Sequence, residues 1–484
     1  MNAFELAARL RTFLPPEAVL HEIEDVRPYE CDGLSAYRQA PMVVALPQTE
    51  EEVVEILRVC HAAKIPVVAR GAGTGLSGGA LPHSEGLLLS LAKLKRILEI
   101  DPLARTARVQ PGVRNLSISE AAAPHGLYYA PDPSSQIACT IGGNVAENSG
   151  GVHCLKYGLT VHNIAGLRVV TIEGEILEIG SEGLDAPGYD LLALMAGSEG
   201  MLGIVTEATV KLIPRPEKAQ VVLAGFADIR AAANAVANVI AAGIIPAGME
   251  MMDQITTRAV EEFVHAGYNL EAAAILLCES DGGAEEVADE IRQINEIMKM
   301  SGAIDIRTSR DDAERLRFWA GRKAAFPAAG RVSPDYYCMD GTIPRKNLAN
   351  ILSGIEALSA EYGLRCMNVF HAGDGNLHPL ILYDANRPGE LELTEEFGAR
   401  ILQMCIEAGG TITGEHGVGI EKIDQMCSQF KAGELEMFHA VKAAFDPSGL
   451  LNPGKAVPTL RRCAEHGAMH VHQGKEKFAE LPRF

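Results

Sequence analysis

The sequence predicts an α+β protein built in two parts. The chain has 484 residues, and a single hydrophobic core stops growing at roughly 250–300 residues, so one core is not enough. The first half opens with a strand, a helix and a second strand and then becomes rich in glycine. The second half alternates strands and helices, which favours helices stacked on one face of a mainly antiparallel sheet.

Apolar runs and helical spacing define the elements of the first half. They predict a strand and a helix within 43–60, strands at 65–70, 87–91 and 106–110, and a helix near 115–123. Residues 131–158 show almost no helix or strand pattern, and loops of that length in a compact domain are usually functional. Pro214 and Pro216 then interrupt the strands and mark a domain boundary.

The second half is predicted from the same kinds of pattern. The predicted elements are strands at 221–226 and 272–280, helices at 228–242 and 283–300, strands at 334–343, 366–371 and 378–383, and a helix at 390–408.

Composition excludes several classes of protein. A formal net charge of −20 argues against a nucleic-acid partner, because that affinity comes mainly from Lys and Arg. The first residues resemble a short amphipathic helix that stops at Pro15 and Pro16, without the features of a signal peptide. The ten cysteines form no C-x-x-C pair, so we expect reduced thiols and a cytoplasmic protein.

The glycine-rich segment that follows residue 70 suits a diphosphate. Gly73, Gly75 and Gly78 have the G-x-G-x-x-G spacing after a strand, but the glycines and Pro82 make the helix of a Rossmann site implausible. Successive glycines still let backbone N–H groups point into one concavity that binds an anion. A plain surface turn is the alternative on these residues alone.

Histidines and a glutamate in the second half suggest a metal site. His371 and His378 flank a turn with the Asp374-Gly375 pair, which indicates a hairpin that could place both imidazoles on one face. Glu415 and His416 lie in a glycine-rich loop. Two His and one Glu form a common catalytic metal set with open positions for substrate. Unliganded His and Glu side chains remain the alternative for these residues. For Arg322, elsewhere in the second half, the alternative to a binding role is an ordinary surface ion pair.

Four segments of the first half, in order, resemble the FAD-binding domain of the vanillyl-alcohol oxidase family. They are residues 70–80, PDPSS at 131–135, TIGGNVAENSGGVHCLKYG at 140–158 and GSEGMLGIVTEA at 197–208. The resemblance implies that the diphosphate is held by Arg70, Gly71, Ala72, Gly73, Thr74, Gly75, Leu76, Ser77, Gly78 and Gly79. It implies that the ring and sugar are lined by Pro131, Ser134, Ser135, Gly142, Gly143, Asn144, Ser149 and Gly150, with Glu199, Ile204 and Asn452 finishing the site. The glycine loop contains no His, so we expect non-covalent FAD.

The second half resembles the C-terminal domain of the FAD-linked D-lactate, D-2-hydroxyglutarate and glycolate dehydrogenases. The resemblance rests on the His371–His378 and Glu415–His416 segments, on RFWAGRKAAFPAAGRVSPDYYCMDGTIP at 317–344, and on NPGK at 452–455. It implies a divalent metal on His371, His378 and Glu415. It further implies that His416 removes the hydroxyl proton and that Arg322 pairs with the substrate carboxylate. A His/His/Glu set makes zinc the first expectation, with manganese and iron as alternatives.

One residue departs from the D-2-hydroxyglutarate relatives. They have a Lys two positions before the residue that matches Asp340, where this chain has Cys338. The missing cation favours a small monocarboxylate, glycolate first and D-lactate second.

The same resemblance implies a domain organisation and partners. We expect an N-terminal helical segment at 1–40, a two-part FAD-binding domain at 41–216, an α+β substrate (cap) domain with the metal site at 217–450, and a segment at 451–484 that returns to the flavin. The expected partners are a second FAD-related subunit and an iron–sulfur subunit that passes electrons to an acceptor such as quinone at the inner membrane. Tail residues His466, His470 and His472 are expected to be solvated, without a metal.

Alternatives remain open on the sequence. One is a stand-alone D-lactate or D-2-hydroxyglutarate dehydrogenase with a diffusible acceptor. The others lack flavin: a metal-dependent hydrolase, or a structural subunit.

Overall fold

The computed structural model describes residues 1–181, 183, 188–459 and 463, so the tail histidines lie outside the described residues. Before residue 216 the elements are, in chain order, α1 (Ala3–Leu10), β1 (Val19–Leu20), α2 (Ile23–Val26), β2 (Val43–Ala45), α3 (Glu50–Ala63), β3 (Val67–Arg70), β4 (Leu87–Ser90), β5 (Ile97–Asp101), β6 (Thr106–Val109), α4 (Asn115–Ala122), β7 (Leu127–Tyr128), α5 (Ile141–Glu147), α6 (Cys154–Tyr157), β8 (Ile164–Val170), β9 (Ile176–Gly180), α7 (Leu191–Met195), β10 (Ile204–Lys211) and β11 (Ile213–Pro214).

After residue 216 they are β12 (Lys218–Phe226), α8 (Ile229–Ala241), β13 (Gly248–Asp253), α9 (Gln254–Val264), β14 (Ala274–Gly282), α10 (Ala284–Met300), β15 (Ala303–Thr308), α11 (Asp312–Lys323), α12 (Ala325–Val332), β16 (Asp335–Cys338), α13 (Leu348–Tyr362), β17 (Cys366–His371), β18 (Pro379–Tyr383), α14 (Glu390–Glu407), α15 (Ile423–Gln429) and α16 (Ala432–Phe445). Most predicted helices and strands lie within two residues of these bounds.

The first sheet has the strand order β1-β2-β4-β3, and β2, β4 and β3 are parallel. The predicted strand–helix–strand opening is therefore confirmed, with Thr49 accepting a hydrogen bond from the Glu52 amide at the start of α3. The chain comes back to this sheet near its C-terminus. The Val67 amide donates to the Leu450 carbonyl, and the Asn452 amide donates to the Val67 carbonyl, which places Asn452 beside the glycine-rich loop.

The second sheet is antiparallel, with the order β5-β6-β10-β8-β9. Against it lies α5, a helix in the stretch where the sequence predicted no regular element. Gly142 and Gly143 have low helix propensity, which hides the helix from a local pattern. Burial of Ile141 and Val145 in the core of this sheet stabilises the helix instead.

The third large sheet contains seven antiparallel strands, in the order β15-β12-β14-β13-β17-β18-β16. An α+β architecture is thus confirmed, but the expectation that helices cover one face is wrong. Helices α8, α10 and α13 pack on one face and α9, α11 and α12 on the other. The sequence of β14 explains why both faces are covered, because its continuous apolar run AILLC is buried on both sides.

The strand predicted at 334–343 ends early, at Cys338. Beyond it the chain leaves the sheet, and Asp340 turns to bind the loop at 413–416. Thr342 then forms isolated bridges with Asn376 and Thr411. Polar contacts with distant loops therefore end β16, which the local strand pattern did not reveal.

Two further findings concern the chain as a whole. Cys427 and Cys463 form a disulfide, so the expectation of reduced thiols is wrong for this pair, while the other eight cysteines are free. In the part of the chain that the structure describes, no helix combines the length and apolar character needed to cross a membrane.

Candidate active site

The glycine-rich loop after β3 lies where the two halves of the molecule meet. Gly73 and Gly78 have positive φ angles of 71° and 73°, a conformation that favours glycine. The Ser77 carbonyl accepts hydrogen bonds from the amides of Ile420 and Glu421, at 3.0 and 3.1 Å. Leu76 packs against the core of the seven-stranded sheet. The loop predicted to hold a diphosphate thus adjoins the loop predicted to hold the catalytic base.

The surroundings of this loop fit a polar ligand. Within the described residues, Ser77 Oγ, Thr140 Oγ1 and Glu147 Oε2 are buried without a hydrogen-bond partner. Such groups are costly unless a ligand or water satisfies them. A Cβ on Gly71 would lie 2.3 Å from Thr140 Oγ1, and a Cβ on Gly79 would lie 2.8 Å from Glu147 Oε1. The glycines therefore let the Thr140 and Glu147 side chains approach the loop backbone closely. The unpartnered atoms of these side chains lie beside the loop, where a polar ligand such as the FAD diphosphate could satisfy them.

The other predicted flavin residues surround the same region in different ways. The turn that carries Ser134 and Ser135 follows Pro131, whose carbonyl accepts from Asn115 Nδ2 at 3.0 Å. Asn115 Nδ2 also donates to Asn144 Oδ1, at 3.1 Å. The side chain of Ile204 is buried in the core of the first sheet, so only its backbone could face a ligand.

Glu199 and Asn452 connect separate segments. Glu199 accepts from the amides of Val418 and Gly419, each at 2.7 Å, and has a positive φ of 51°. Asn452 Nδ2 donates to the carbonyls of Gly79 and Glu199, at 3.0 and 2.7 Å. The Glu199 amide and carbonyl and the Asn452 amide are also engaged within the protein, so these two residues fix the loops around the predicted flavin region.

The three predicted metal ligands lie together. Glu415 Oε1 is 3.2 Å from His371 Nε2 and 3.0 Å from His378 Nε2. The ring centroids of the two histidines are 5.1 Å apart. Burial alone would raise the pKa of Glu415, but hydrogen bonds from the two imidazoles lower it well below its usual value, so the carboxylate is ionised. This donor set fits a divalent ion such as zinc, manganese or iron.

Glu250 connects the metal ligands to Arg322. Its carboxylate is 2.5 Å from His371 Nδ1 and accepts from Arg322 Nε at 2.6 Å. Glu250 and Arg322 are each 1% exposed. Burial would raise the pKa of Glu250, but Arg322 and His371 lower it, so the acid is ionised. Arg322, expected to bind substrate, thus has a buried partner at Nε, and only its terminal nitrogens could reach a carboxylate in the cleft.

Asp340 fixes the loop that carries Glu415 and His416. Its Oδ2 accepts from Thr413 Oγ1 at 2.6 Å and from the amides of Gly414 and His416 at 3.0 and 2.9 Å. Burial would raise the pKa of Asp340, but the neighbouring His416, Lys422 and His378 lower it below its ordinary value. An ionised carboxylate therefore orders the backbone of this loop.

His416 lies at the edge of the cluster, with its ring centroid 4.9 Å from that of His378. Burial lowers the pKa of His416 to about 4, so its imidazole is neutral at neutral pH. A neutral imidazole can accept a proton, as the predicted base must. Its Nδ1 is buried and has no hydrogen-bond partner within the described residues.

A cavity of about 430 Å³ opens at this cluster, and its lining includes Gly150, His371, Asp374 and Glu415. The Gly150 amide donates to Glu415 Oε2 at 2.9 Å, which joins a predicted flavin residue directly to a predicted metal ligand. A larger groove of about 530 Å³ lies over the five-stranded sheet. Its lining has three arginines, Arg96, Arg108 and Arg168, and four glutamates, and Arg108 and Arg168 are paired with glutamates, so the groove has no net positive charge.

Sequence reasoning missed Glu250 as a functional residue. The signal was present, because a lone carboxylate in the apolar run GMEMM must find a partner when that strand is buried. Only the tertiary structure identifies the partners, which are 121 and 72 positions away along the chain.

Fold and site together define a flavin-dependent oxidoreductase of two halves, with the predicted cofactor region in one half and, in the other, a cluster of His and Glu side chains that could hold a metal ion. Residues 41–180 match the model of the FAD binding domain, and residues 215–456 match that of the FAD linked oxidases, C-terminal domain. The chain belongs to the FAD-linked oxidases.

Similarity to named relatives is high over nearly the full length. The chain is 63% identical to the glycolate oxidase subunit GlcD of Escherichia coli strain K12 over 98% of this chain and 95% of that protein. It is 42% identical to the Bacillus subtilis protein of the same name, over 88% and 91%. It is 33% identical to the D-lactate dehydrogenase of Anaerostipes hadrus, over 91% and 95%.

Solved structures agree on the fold. 4-Ethylphenol oxidase from Gulosibacter chungangensis superimposes with a TM-score of 0.80 at 20% identity, over 95% of this chain and 98% of that one. p-Cresol methylhydroxylase superimposes with a TM-score of 0.78 at 18% identity, over 95% of this chain and 98% of that one. The predicted vanillyl-alcohol oxidase type of FAD-binding fold is confirmed.

Proposed function

We propose that the chain oxidises glycolate to glyoxylate, with D-lactate as a second substrate, as the flavoprotein subunit of a multi-subunit enzyme. The observation that carries this proposal is the convergence of His371, His378, Glu415 and His416 beside Gly150, on a wall of the predicted flavin cleft. Identity of 63% to an E. coli glycolate oxidase subunit supports the choice of substrate.

Each side chain has a task in this proposal. Arg322 holds the substrate carboxylate through its terminal nitrogens, because a guanidinium fork suits a carboxylate. His371, His378 and Glu415 hold a divalent ion, and neutral His416 accepts the hydroxyl proton. When bound, the ion would polarise the hydroxyl oxygen and FAD would take up the hydride from Cα.

Two observations support non-covalent FAD. The glycine loop contains no His, and His153, the nearby candidate for attachment, has both ring nitrogens engaged. Its Nδ1 is 2.8 Å from Asp132 Oδ2, and its Nε2 is 3.4 Å from Glu279 Oε1. Acid precipitation should therefore leave the flavin in the supernatant.

We infer partner subunits from the same relative, which is named as a subunit. A second FAD-related subunit and an iron–sulfur subunit would receive the electrons and deliver them to quinone at the inner membrane. Co-purification of the tagged chain from its own cells tests this inference.

Anaerobic titration of the purified chain tests the reaction. We expect glycolate and D-lactate to bleach the flavin absorbance, and D-2-hydroxyglutarate to do so poorly. His416→Ala should keep its FAD but reduce it about 100- to 10,000-fold more slowly, since that is the usual contribution of a general base. Normal bleaching in this variant would remove His416 from its proposed role.

A second candidate function is that of a stand-alone D-lactate dehydrogenase, which the 33% identity to the Anaerostipes hadrus enzyme favours. Steady-state rates with a diffusible acceptor separate the two. A kcat/KM for D-lactate well above that for glycolate, without partner subunits, would favour the second candidate.

A further inference from the structure

We propose a second metal site, formed by Cys338, His378 and His416, that takes a thiophilic divalent ion such as cadmium or excess zinc and thereby inhibits the enzyme. The site lies beside the His371–His378–Glu415 set and shares the ring of His378 with it. Inhibition rests on the proposed role of His416 as a base, whereas the existence of the site does not.

The distances between possible ligand atoms support this site. Among the described residues, one ligand atom each from Cys338, His378 and His416 all lie within 4.8 Å of one another, as do those of His371, His378 and Glu415. Two imidazoles on one tetrahedral ion, at about 2.1 Å from it, have ring centroids roughly 5 Å apart. The His378–His416 pair is at 4.9 Å and the His371–His378 pair at 5.1 Å. The rings of the first pair are nearly parallel, at 16°, and those of the second are nearly perpendicular, at 85°. Both spacings are compatible with one bound ion, and the ligand-atom distances place the nitrogens within its reach.

The hydrogen bonds of His378 assign its two nitrogens to different sites. Nε2 is 3.0 Å from Glu415 and belongs to the first set. Nδ1 is buried and has no hydrogen-bond partner among the described residues, and its distance of 3.9 Å to Asp340 Oδ1 is too long for a hydrogen bond. The His378 residue is 2% exposed, so an unpartnered nitrogen there needs an explanation.

The other two side chains leave suitable atoms unused. His416 Nδ1 is also buried, with no hydrogen-bond partner in the part of the chain that the structure describes. Cys338 is 3% exposed, and its thiol donates to the Met339 carbonyl at 3.4 Å, a weak hydrogen bond that an ion could replace. Two nitrogens and one sulfur form a soft donor set that selects zinc-like or cadmium-like ions over magnesium or calcium.

Proton balance is simple in this site. The Cys338 thiol loses its proton to water when it binds the ion, because a coordinating thiol is deprotonated. If both nitrogens of His378 are bound to ions, its remaining N–H proton also leaves to water. No electron transfer is involved.

Binding of this ion would block catalysis directly. A His416 ring held by the ion is fixed in place and no longer free to accept the substrate proton. The resident ion and the FAD would stay in place, so inhibition would be separable from loss of either.

The test is a cadmium titration of the holoprotein that contains FAD and its resident metal. We expect one additional cadmium per chain, an ultraviolet thiolate-to-cadmium charge-transfer band, and at least a tenfold fall in the rate of flavin reduction. Cys338→Ser should lose the band and the inhibition. Cys366→Ser, a buried cysteine on β17 outside both donor sets, should retain both.

Several outcomes would overturn the proposal. These are a band that persists in Cys338→Ser, the absence of any band in the wild type, or release of one resident ion for each cadmium bound. If Cys338→Ser does not fold, cadmium NMR of the wild-type protein still distinguishes a sulfur-bound ion from one with only nitrogen and oxygen ligands. Failure of glycolate oxidation alone would leave the band intact and would count against the proposed function only.

Discussion

Two parts of this molecule are built on opposite principles. The flavin half is residues 1–216 with the segment after residue 450, and the metal half is residues 217–450, named for its proposed metal ligands. In the flavin half, loops between residues 70 and 150 offer backbone groups and small side chains, and glycines let neighbouring side chains pack closely against these loops. In the metal half, carboxylates such as Glu250 and Asp340 are buried, and the cations Arg322 and Lys422 balance their charges. The first half should therefore be sensitive to added bulk, and the second to lost charge.

Glu415→Gln should have the largest effect on metal binding. It replaces the carboxylate whose Oε1 contacts both histidines by a neutral amide. Loss of a group that only hydrogen-bonds to a metal ligand already costs about 10- to 100-fold in metal affinity, so loss of a ligand itself should exceed about 100-fold. Metal analysis after dialysis measures this, and the flavin spectrum should show FAD still bound. Unchanged metal content would remove Glu415 from the ligand set.

Glu250→Gln should weaken the same site by about 10- to 100-fold, because His371 loses the anion that orients it. At saturating metal, KM for the hydroxy acid should also rise, since Arg322 loses its partner. Competition with a chelator measures the first effect and steady-state kinetics the second.

Asp253→Asn is the matched control for Glu250→Gln. Asp253 is a buried carboxylate on the same strand, but it accepts from the Thr256 and Asn368 amides, away from the metal ligands. It should lower thermal stability without changing metal affinity. Equal losses of metal affinity in both variants would mean that Glu250 acts through general stability.

Gly71→Ala should affect FAD and spare the metal. Its Cβ would lie 2.3 Å from Thr140 Oγ1, and forced overpacking costs about 1–3 kcal/mol, or roughly 5- to 150-fold in the Kd for FAD. Gly330→Ala, where an added Cβ meets nothing within 4 Å in α12, should leave FAD binding unchanged. Fluorescence titration of the apoprotein with FAD compares the two, and equal affinities would contradict the role of Gly71.

Lys455 offers the most specific test in the flavin half. Burial lowers its pKa from the ordinary 10.5 to about 8. Between these values the unfolded chain binds more protons than the folded chain, so stability should rise with pH across this window, by up to about 3 kcal/mol. Lys455→Met should remove this slope, whatever its effect on absolute stability. Urea-unfolding curves of the wild type and the variant across this pH window measure how stability changes with pH. Identical slopes of stability against pH in the two proteins would contradict the assignment of this pH dependence to Lys455.

Much of the flavin half could be predicted because its segments are local. The Gly73–Gly78 spacing, the strand before it and the polar loops after it are visible in short windows of sequence. The helix α5 was not, because its two glycines oppose helix formation and only its contacts with the second sheet stabilise it. Helices on both faces of the seven-stranded sheet were missed, although the apolar run in β14 indicated them.

In the metal half the sequence predicted the residues but not their environment. His371, His378, Glu415 and His416 were each identified from local motifs, and the structure brings them together. The network of Glu250 with Arg322 and that of Asp340 with the loop at 413–416 were not predicted, since each joins residues 70 or more positions apart.

The sequence by itself determined which chemical groups this protein contains and which segments carry them, because glycine spacing, strand pattern and paired histidines are properties of short stretches of chain. The tertiary structure decided which groups meet. It alone placed Glu415 against the Gly150 amide, Glu250 between Arg322 and His371, and Cys338 beside two histidines with unpartnered nitrogens. The physical reason is that buried charges are stable only when partners from distant segments surround them, and those partners are chosen by packing of the whole fold.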